Sequence, residues 1–327
     1  MNHLEFASLL KRNDFSGAFM FHGNEEFVKD GLLHMLLQTL DEGTRDLNVE
    51  TFEEADYTAV RTACETLPFF TERRMVICRA LPVEDTAKQF IDYLPCVPPS
   101  TTLVFFVRGK ASSNLSIVKT FISLGREVLF SELTPADAVK WLLQRCKKLG
   151  SAITEKDAYY LVKLVGTDMT VLAAEFEKAV AYTGDGKEVT RAVIDTIVTP
   201  SLESDTFRII DLLADGRKQE GLLALKKLLV SGASAMGLAT LFGKRMQTIL
   251  KVRKLIDEEG LKRSDAAKAL ALNSHIALKN YDFAKHYSYT KIAEIGKAFA
   301  DVGFLNNSGI MKDTQALEVA FYKYFVQ

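Results

Sequence analysis

Residues 17–27 read GAFMFHGNEEF, and this stretch decides the fold. It opens with an uninterrupted apolar, β-prone run that ends at His22, followed by one glycine, an asparagine and two acids. A run that is continuous rather than alternating suits a strand buried on both faces. Working outward, the same grammar recurs at 47–52 (LNVETF), 74–79 (RMVICR), 102–107 (TLVFFV) and 127–131 (EVLFS). The intervals 25–41, 55–66, 84–94 and 114–124 are each long enough for a crossover helix. Buried strands separated by helical linkers predict a parallel, doubly wound α/β domain over residues 1–133.

Beyond 134 the strand signals stop. Thr134 followed by Pro135 is a helix start, with the threonine as N-cap and the proline in the first helical position. Helices are expected at 135–149, 154–166, 168–182 and 190–198, with a Thr-Gly-Asp-Gly turn at 183–186 and Pro200 as the final stop. Residues 134–200 thus form a small helical domain. From 201 to 327 the helical pieces lengthen: 204–215, 217–231, 234–258, 261–270, 273–285, 289–304 and 312–325. Apolar positions such as Phe207, Ile210, Leu213, Leu222, Leu225 and Leu229 recur every three or four residues, the pattern of a helical bundle.

Composition narrows the function classes. The 327 residues hold 41 basic and 42 acidic side chains, a net charge of −1. No global positive field holds DNA non-specifically. The balance conceals about −6 over the first 200 residues and about +5 over the remainder. Cysteines 64, 78, 96 and 146 show neither metal-ligand nor disulfide spacing and read as small hydrophobes. The histidines at 3, 22, 34, 275 and 286 form no metal or triad pattern, His22 reads as a packed or capping residue, and Trp141 reads as core. No leader or stretch of about 18 apolar residues occurs, so the expectation is a soluble, cytoplasmic chain without membrane contact.

A parallel sheet followed by a small helical domain resembles the AAA+ ATPases, which carry a phosphate loop, G-x-x-x-x-G-K-[ST], after the first strand. Here that position reads His22-Gly23-Asn24-Glu25-Glu26-Phe27, without the second glycine, lysine or hydroxyl. Glu25 and Glu26 oppose a triphosphate's charge but suit the first turn of a helix. The third strand runs into Arg79-Ala80, where a magnesium-holding acid is due. The expectation is an AAA+-like fold that hydrolyses no ATP and takes no cofactor.

The segment 66–74, TLPFFTERR, places Leu67, Pro68, Phe69 and Phe70 in the connection between a helix and the third strand. Two readings are open: the phenylalanines fold under the sheet edge as core, or the loop is an apolar plug for a partner's pocket. Three buried anchors offer very roughly 5–9 kcal/mol gross, before association costs. The basic run Lys244, Arg245, Lys251, Arg253 and Lys254 has no acid within it. It reads either as a solvated helix face or as a DNA- or subunit-facing edge.

Taken in order, GAFMFHGNEEF, DLNVETF, TLPFFTERRMVI and LVGTDMTVLAAEFEKAVAY resemble the delta subunit of bacterial DNA polymerase III, the clamp-opening member of the clamp loader. The resemblance is strongest over 17–79 and 134–183 and diffuse beyond 203. It implies a degenerate AAA+ domain (1–133), a lid (134–200) and a helical collar domain (201–327) that joins a ring. It also implies that Leu67, Phe69 and Phe70 are a clamp-binding element and that the preceding helix springs the clamp. The implied partners are the beta sliding clamp, the tau/gamma ATPase subunits, delta-prime, and primed DNA within the assembly. ATP would act only through the ATPase partners, since Met169 falls near the position where active relatives carry a sensing arginine. The chain itself would not be catalytic, only part of a DNA-directed DNA polymerase, a nucleotidyltransferase. Two alternatives remain: a delta-prime-like stator, which would carry a cysteine cluster, and a divergent enzyme of nucleotide metabolism.

Overall fold

In the computed structural model residues 1–184, 186–270 and 274–326 are described. Asp185 of the 183–186 turn, Asn273 at the start of an expected helix, and the His275 side chain lie outside them. The chain divides into two compact units, residues 1–162 with 167–197, and 163–166 with 198–327.

The first unit opens with α1 (His3–Lys11), where Asn2 and Glu5 form a capping box. The sequence reading missed this helix because its charges lie every few residues around a short apolar stripe. Then follow β1 (Gly17–His22), α2 (Glu26–Leu37), the single turn α3 (Arg45–Asn48), β2 (Val49–Phe52), α4 (Tyr57–Glu65), β3 (Arg74–Cys78), α5 (Glu84–Tyr93), β4 (Thr101–Phe106), α6 (Ser116–Ser123) and β5 (Glu127–Leu129). Among the described residues these strands pair in parallel, and their order is β2-β3-β4-β1-β5. The expected strand at 47–52 starts only at Val49, because Leu47 and Asn48 complete the α3 turn.

Alternation along β1 splits the core in two. Ala18 and Met20 pack with Val60, Cys64, Phe90 and Phe121 beneath α4–α6. Phe19 and Phe21 pack with Phe6, Leu32, Leu36 and Phe130 on the α1–α2 side. Burying both faces accounts for the uninterrupted apolar runs. Cys64, Cys78 and Cys146 are buried as expected, whereas Cys96 is exposed, a correction that follows from its place in the turn after α5.

The helical segment begins with α7 (Pro135–Lys148), capped by Thr134, whose hydroxyl accepts the Asp137 N–H at 3.2 Å. Next come α8 (Glu155–Val165), α9 (Met169–Thr183) and α10 (Arg191–Ile197). Half-buried Trp141 of α7 meets Phe27 of α2 edge to face, with centroids 5.7 Å apart, which ties this segment to the sheet.

The second unit is helical: α11 (Leu202–Ala214), α12 (Lys218–Val230), α13 (Ala235–Glu259), α14 (Ala266–Leu270), α15 (Ser274–His286), α16 (Tyr289–Asn307) and α17 (Asp313–Phe321). Its core gathers around α13, where Phe242 stacks on Phe299 at 5.2 Å and meets Phe321 at 4.8 Å. The expected helix at 261–270 is a 3₁₀ turn at Arg263–Asp265 followed by the short α14.

Candidate functional site

The connection from α4 to β3 carries the apolar loop. Leu67 is 80% exposed, Phe69 50% and Phe70 85%, so the core reading of the two phenylalanines is overturned. Single exposed apolar residues are ordinary, but here three within four positions form one exposed apolar patch. The Phe69 and Phe70 rings lie against each other, with centroids 4.3 Å apart.

The reason these residues face outward lies beneath them. Asn48 is fully buried, and its side chain grips the loop backbone: Phe69 N–H donates to Asn48 Oδ1 at 2.7 Å, and Asn48 Nδ2 donates to the Phe69 carbonyl at 2.9 Å. The same amide group also donates to the Thr44 carbonyl at 2.9 Å. Arg74, at the start of β3, donates to the Ala63 carbonyl at 2.8 Å, to the Leu47 carbonyl at 3.1 Å and to Glu50 at 2.6 Å. The ends of α4 and α3 are therefore pinned to the base of the loop. Phe70 adopts a φ of 56°, a left-handed conformation that costs a non-glycine residue about 1–2 kcal/mol. Leu47, also exposed, sits beside Asn48 at the same edge.

The phosphate-loop position is filled by the protein itself. Gly23 N–H donates to the Gly109 carbonyl at 2.7 Å, and Glu25 N–H to the Phe130 carbonyl at 3.2 Å. The amides that would cradle a phosphate are thus spent on backbone carbonyls. Gly23 has a φ of 129°, and a Cβ there would approach the Phe130 oxygen to 2.1 Å, so no bulkier residue fits. Lys29, fully buried, points back into this corner and donates to Gly23 O at 3.1 Å, Val107 O at 2.7 Å and Glu26 at 2.8 Å. All three ammonium hydrogens have acceptors, one of them ionised. Glu26 also accepts from Gly109 N–H at 2.8 Å; burial opposes its charge, but the Gly109 and Lys29 contacts prevail and its pKa is lowered.

Around this corner His22 is buried, with Nε2 2.8 Å from Glu127 and Nδ1 accepting from Ala111 N–H at 3.0 Å. Arg79, after β3, donates its amide to the Phe52 carbonyl at 2.8 Å and lies over the Phe106 ring. Met169 is buried behind the N-cap Asp168. Among the described residues no cluster of His, Cys, Asp or Glu could hold a metal ion, and no helix is long and apolar enough to cross a membrane.

The basic run on α13 separates. Lys244, Lys251 and Lys254 are exposed. Arg253 pairs with Asp257, Lys254 reaches Glu258 at 3.7 Å, and Arg253 also donates to the Ala284 carbonyl at 3.2 Å. Arg245 is a correction: it is 5% exposed, donating to Asp211 at 2.6 Å and to the Phe207 carbonyl at 2.8 Å. It belongs to the unit's interior and is not open to DNA. Asn48, Arg74 and Lys29 escaped the sequence reading, although an asparagine just ahead of a β run is a turn signal that could have exposed the first.

Comparisons bear on the whole chain. A family model described as DNA polymerase III, delta subunit, matches residues 19–129. A second, described as DNA polymerase III delta subunit, C-terminal domain, matches residues 203–324, where the sequence resemblance is diffuse. Together they span more than half of the chain. A curated relative, DNA polymerase III subunit delta of Bacillus subtilis (strain 168), is 22% identical over 322 residues, covering 94% of this chain and 92% of the relative. The solved structure of the Bacillus subtilis DNA clamp loader delta protein matches with a TM-score of 0.68 at 20% identity. That match covers 99% of this chain and 100% of the other, a likeness of fold.

Proposed function

Because the chain belongs to the DNA polymerase III delta subunit family, we propose that it binds the beta sliding clamp through Leu67, Pro68, Phe69 and Phe70 and opens it for loading on primed DNA. The outward-facing loop held on Asn48 and Arg74 carries this reading. The three apolar side chains enter a hydrophobic pocket on the clamp, and α4, whose end Arg74 fixes, presses on the adjoining clamp interface. This chain hydrolyses no ATP, since the amides and the lysine near the phosphate-loop position are engaged with protein groups. Energy for the cycle comes from the tau/gamma ATPase subunits, which it joins with delta-prime through the collar domain, 201–327, in the cytoplasm. The exposed lysines 244, 251 and 254 face either DNA or a neighbouring subunit.

Replacing Leu67 and Phe70 together by alanine tests the site. Removing two anchors worth about 1.5–3 kcal/mol each weakens binding to the purified sliding clamp on the order of a hundredfold or more. The variant keeps its thermal unfolding midpoint, because both side chains face water. Unchanged clamp affinity would sink the site assignment.

A further inference from the structure

We propose that Asn48 is the positioning residue that holds the 67–70 loop in its outward conformation before any partner arrives. The proposal rests on the clamp-binding reading above and adds what makes the loop competent. Asn48 closes α3 one residue ahead of β2, and its side chain links that edge to the Phe69 backbone twice: an N–H received at 2.7 Å and a carbonyl satisfied at 2.9 Å. This pair of bonds does for Phe69 what a neighbouring strand does for a ladder residue. Its second amide hydrogen is engaged by Thr44 O, and Arg74 holds the adjoining Leu47 carbonyl, so the grip cannot swing away with the loop.

The next residue supplies the independent observation. Phe70 has a φ of 56°, and an aromatic residue stays in the left-handed region only where its surroundings over-determine it. Fixing Phe69 on both its donor and its acceptor leaves Phe70 to make the turn, and this turn sends its ring into solvent. Without Asn48 the loop loses the two bonds that hold the Phe69 backbone against relaxation of Phe70 to negative φ, and the apolar rings gain freedom to fold back on the protein. Their sequence is unchanged, yet the clamp must then bear the cost of ordering them, which appears as lost affinity.

Asn48→Ala is therefore expected to weaken binding to the purified sliding clamp about tenfold, toward the affinity of a free peptide spanning 66–72. Removing buried hydrogen bonds also lowers stability, so Leu36→Ala, a cavity in the core on the α1–α2 side of the same unit, serves as the control of comparable midpoint loss and retains wild-type affinity. Hydrogen exchange in Asn48→Ala accelerates at the Phe69 amide while β3 amides stay protected. Wild-type affinity in Asn48→Ala, or an equal loss in Leu36→Ala, overturns the proposal. NMR of the free wild-type protein provides an arm independent of folding in the variant and of the clamp. It is expected to show a protected Phe69 amide and a positive φ at Phe70, and an averaged loop overturns the lock. Absence of any clamp binding by the wild-type chain instead sinks the reading beneath it, leaving the NMR result to judge the lock.

Discussion

Glu25 stands just after the first strand, where a phosphate loop would carry no acid. It caps α2, its carboxylate facing the Val28 N–H at 3.4 Å, and it is buried. Burial pushes its pKa up, the Val28 hydrogen bond pulls it back, and the Asp168 and Glu132 charges push it further, for a net rise. A carboxyl whose folded pKa exceeds its unfolded one costs nothing below the unfolded value and weakens the fold as pH rises through the folded value. Glu25→Gln, which keeps an acceptor for Val28, is expected to raise the denaturation midpoint at pH 7. The gain disappears near pH 3.5, below the usual glutamate range of about 4.3. Urea titrations at the two pH values check this, and an equal gain at both would refute the charge as cause. A residue that would repel a phosphate thus carries an electrostatic penalty even in the fold that keeps it.

At the scale of the element, α13 separates charge that is displayed from charge that is structural. Its sequence gives five basic residues in eleven positions without an acid, but helical rotation sends them to different surroundings. Arg245 turns inward to Asp211 and the Phe207 carbonyl, while Lys251 stays in solvent. Arg245→Met is expected to cost about 2–4 kcal/mol, because it strands the Asp211 carboxylate and a buried carbonyl. Lys251→Ala is expected to change stability by no more than about 0.5 kcal/mol. Chemical denaturation separates them, and equal effects would contradict the burial. The acids that answer this run, Asp211, Asp257 and Glu258, lie outside it, so a window confined to 244–254 reads the whole run as uniformly exposed. The turn α3 is the opposite case: a single helical turn lacks the periodicity that identifies a helix, so its last two residues were absorbed into the neighbouring β run.

For the whole molecule, the corner after β1 is held together by the protein's own groups. Trp141 on Phe27 ties α7 to α2, and Lys29 supplies the cation at the strand-end corner. The expected outcome of isothermal titration with ATP and magnesium is no saturable heat. Tight binding would return the divergent nucleotide enzyme to consideration. The charge separation of about −6 and +5 between the first 200 residues and the rest leaves the net balance near zero, in keeping with a chain proposed to grip a protein ring rather than a bare duplex.

The sequence by itself determined the parallel sheet, the change to helices at 134, the lack of phosphate-loop residues after the first strand and the position of the apolar loop. Each of these is written in contiguous residues: continuous apolar runs for strands buried on both faces, Thr134-Pro135 for a helix start, and residues 22–27 for the missing motif. Only the tertiary structure decided that Leu67, Phe69 and Phe70 face water and that Arg245 does not. Exposure depends on partners distant in the chain. Asn48 lies 21 residues from Phe69 and Asp211 lies 34 residues from Arg245, and hydrogen bonds across such separations leave no local pattern. The filled corner at Gly23 has the same origin: its carbonyl partners at 107, 109 and 130 come together only when β4, β1 and β5 lie side by side.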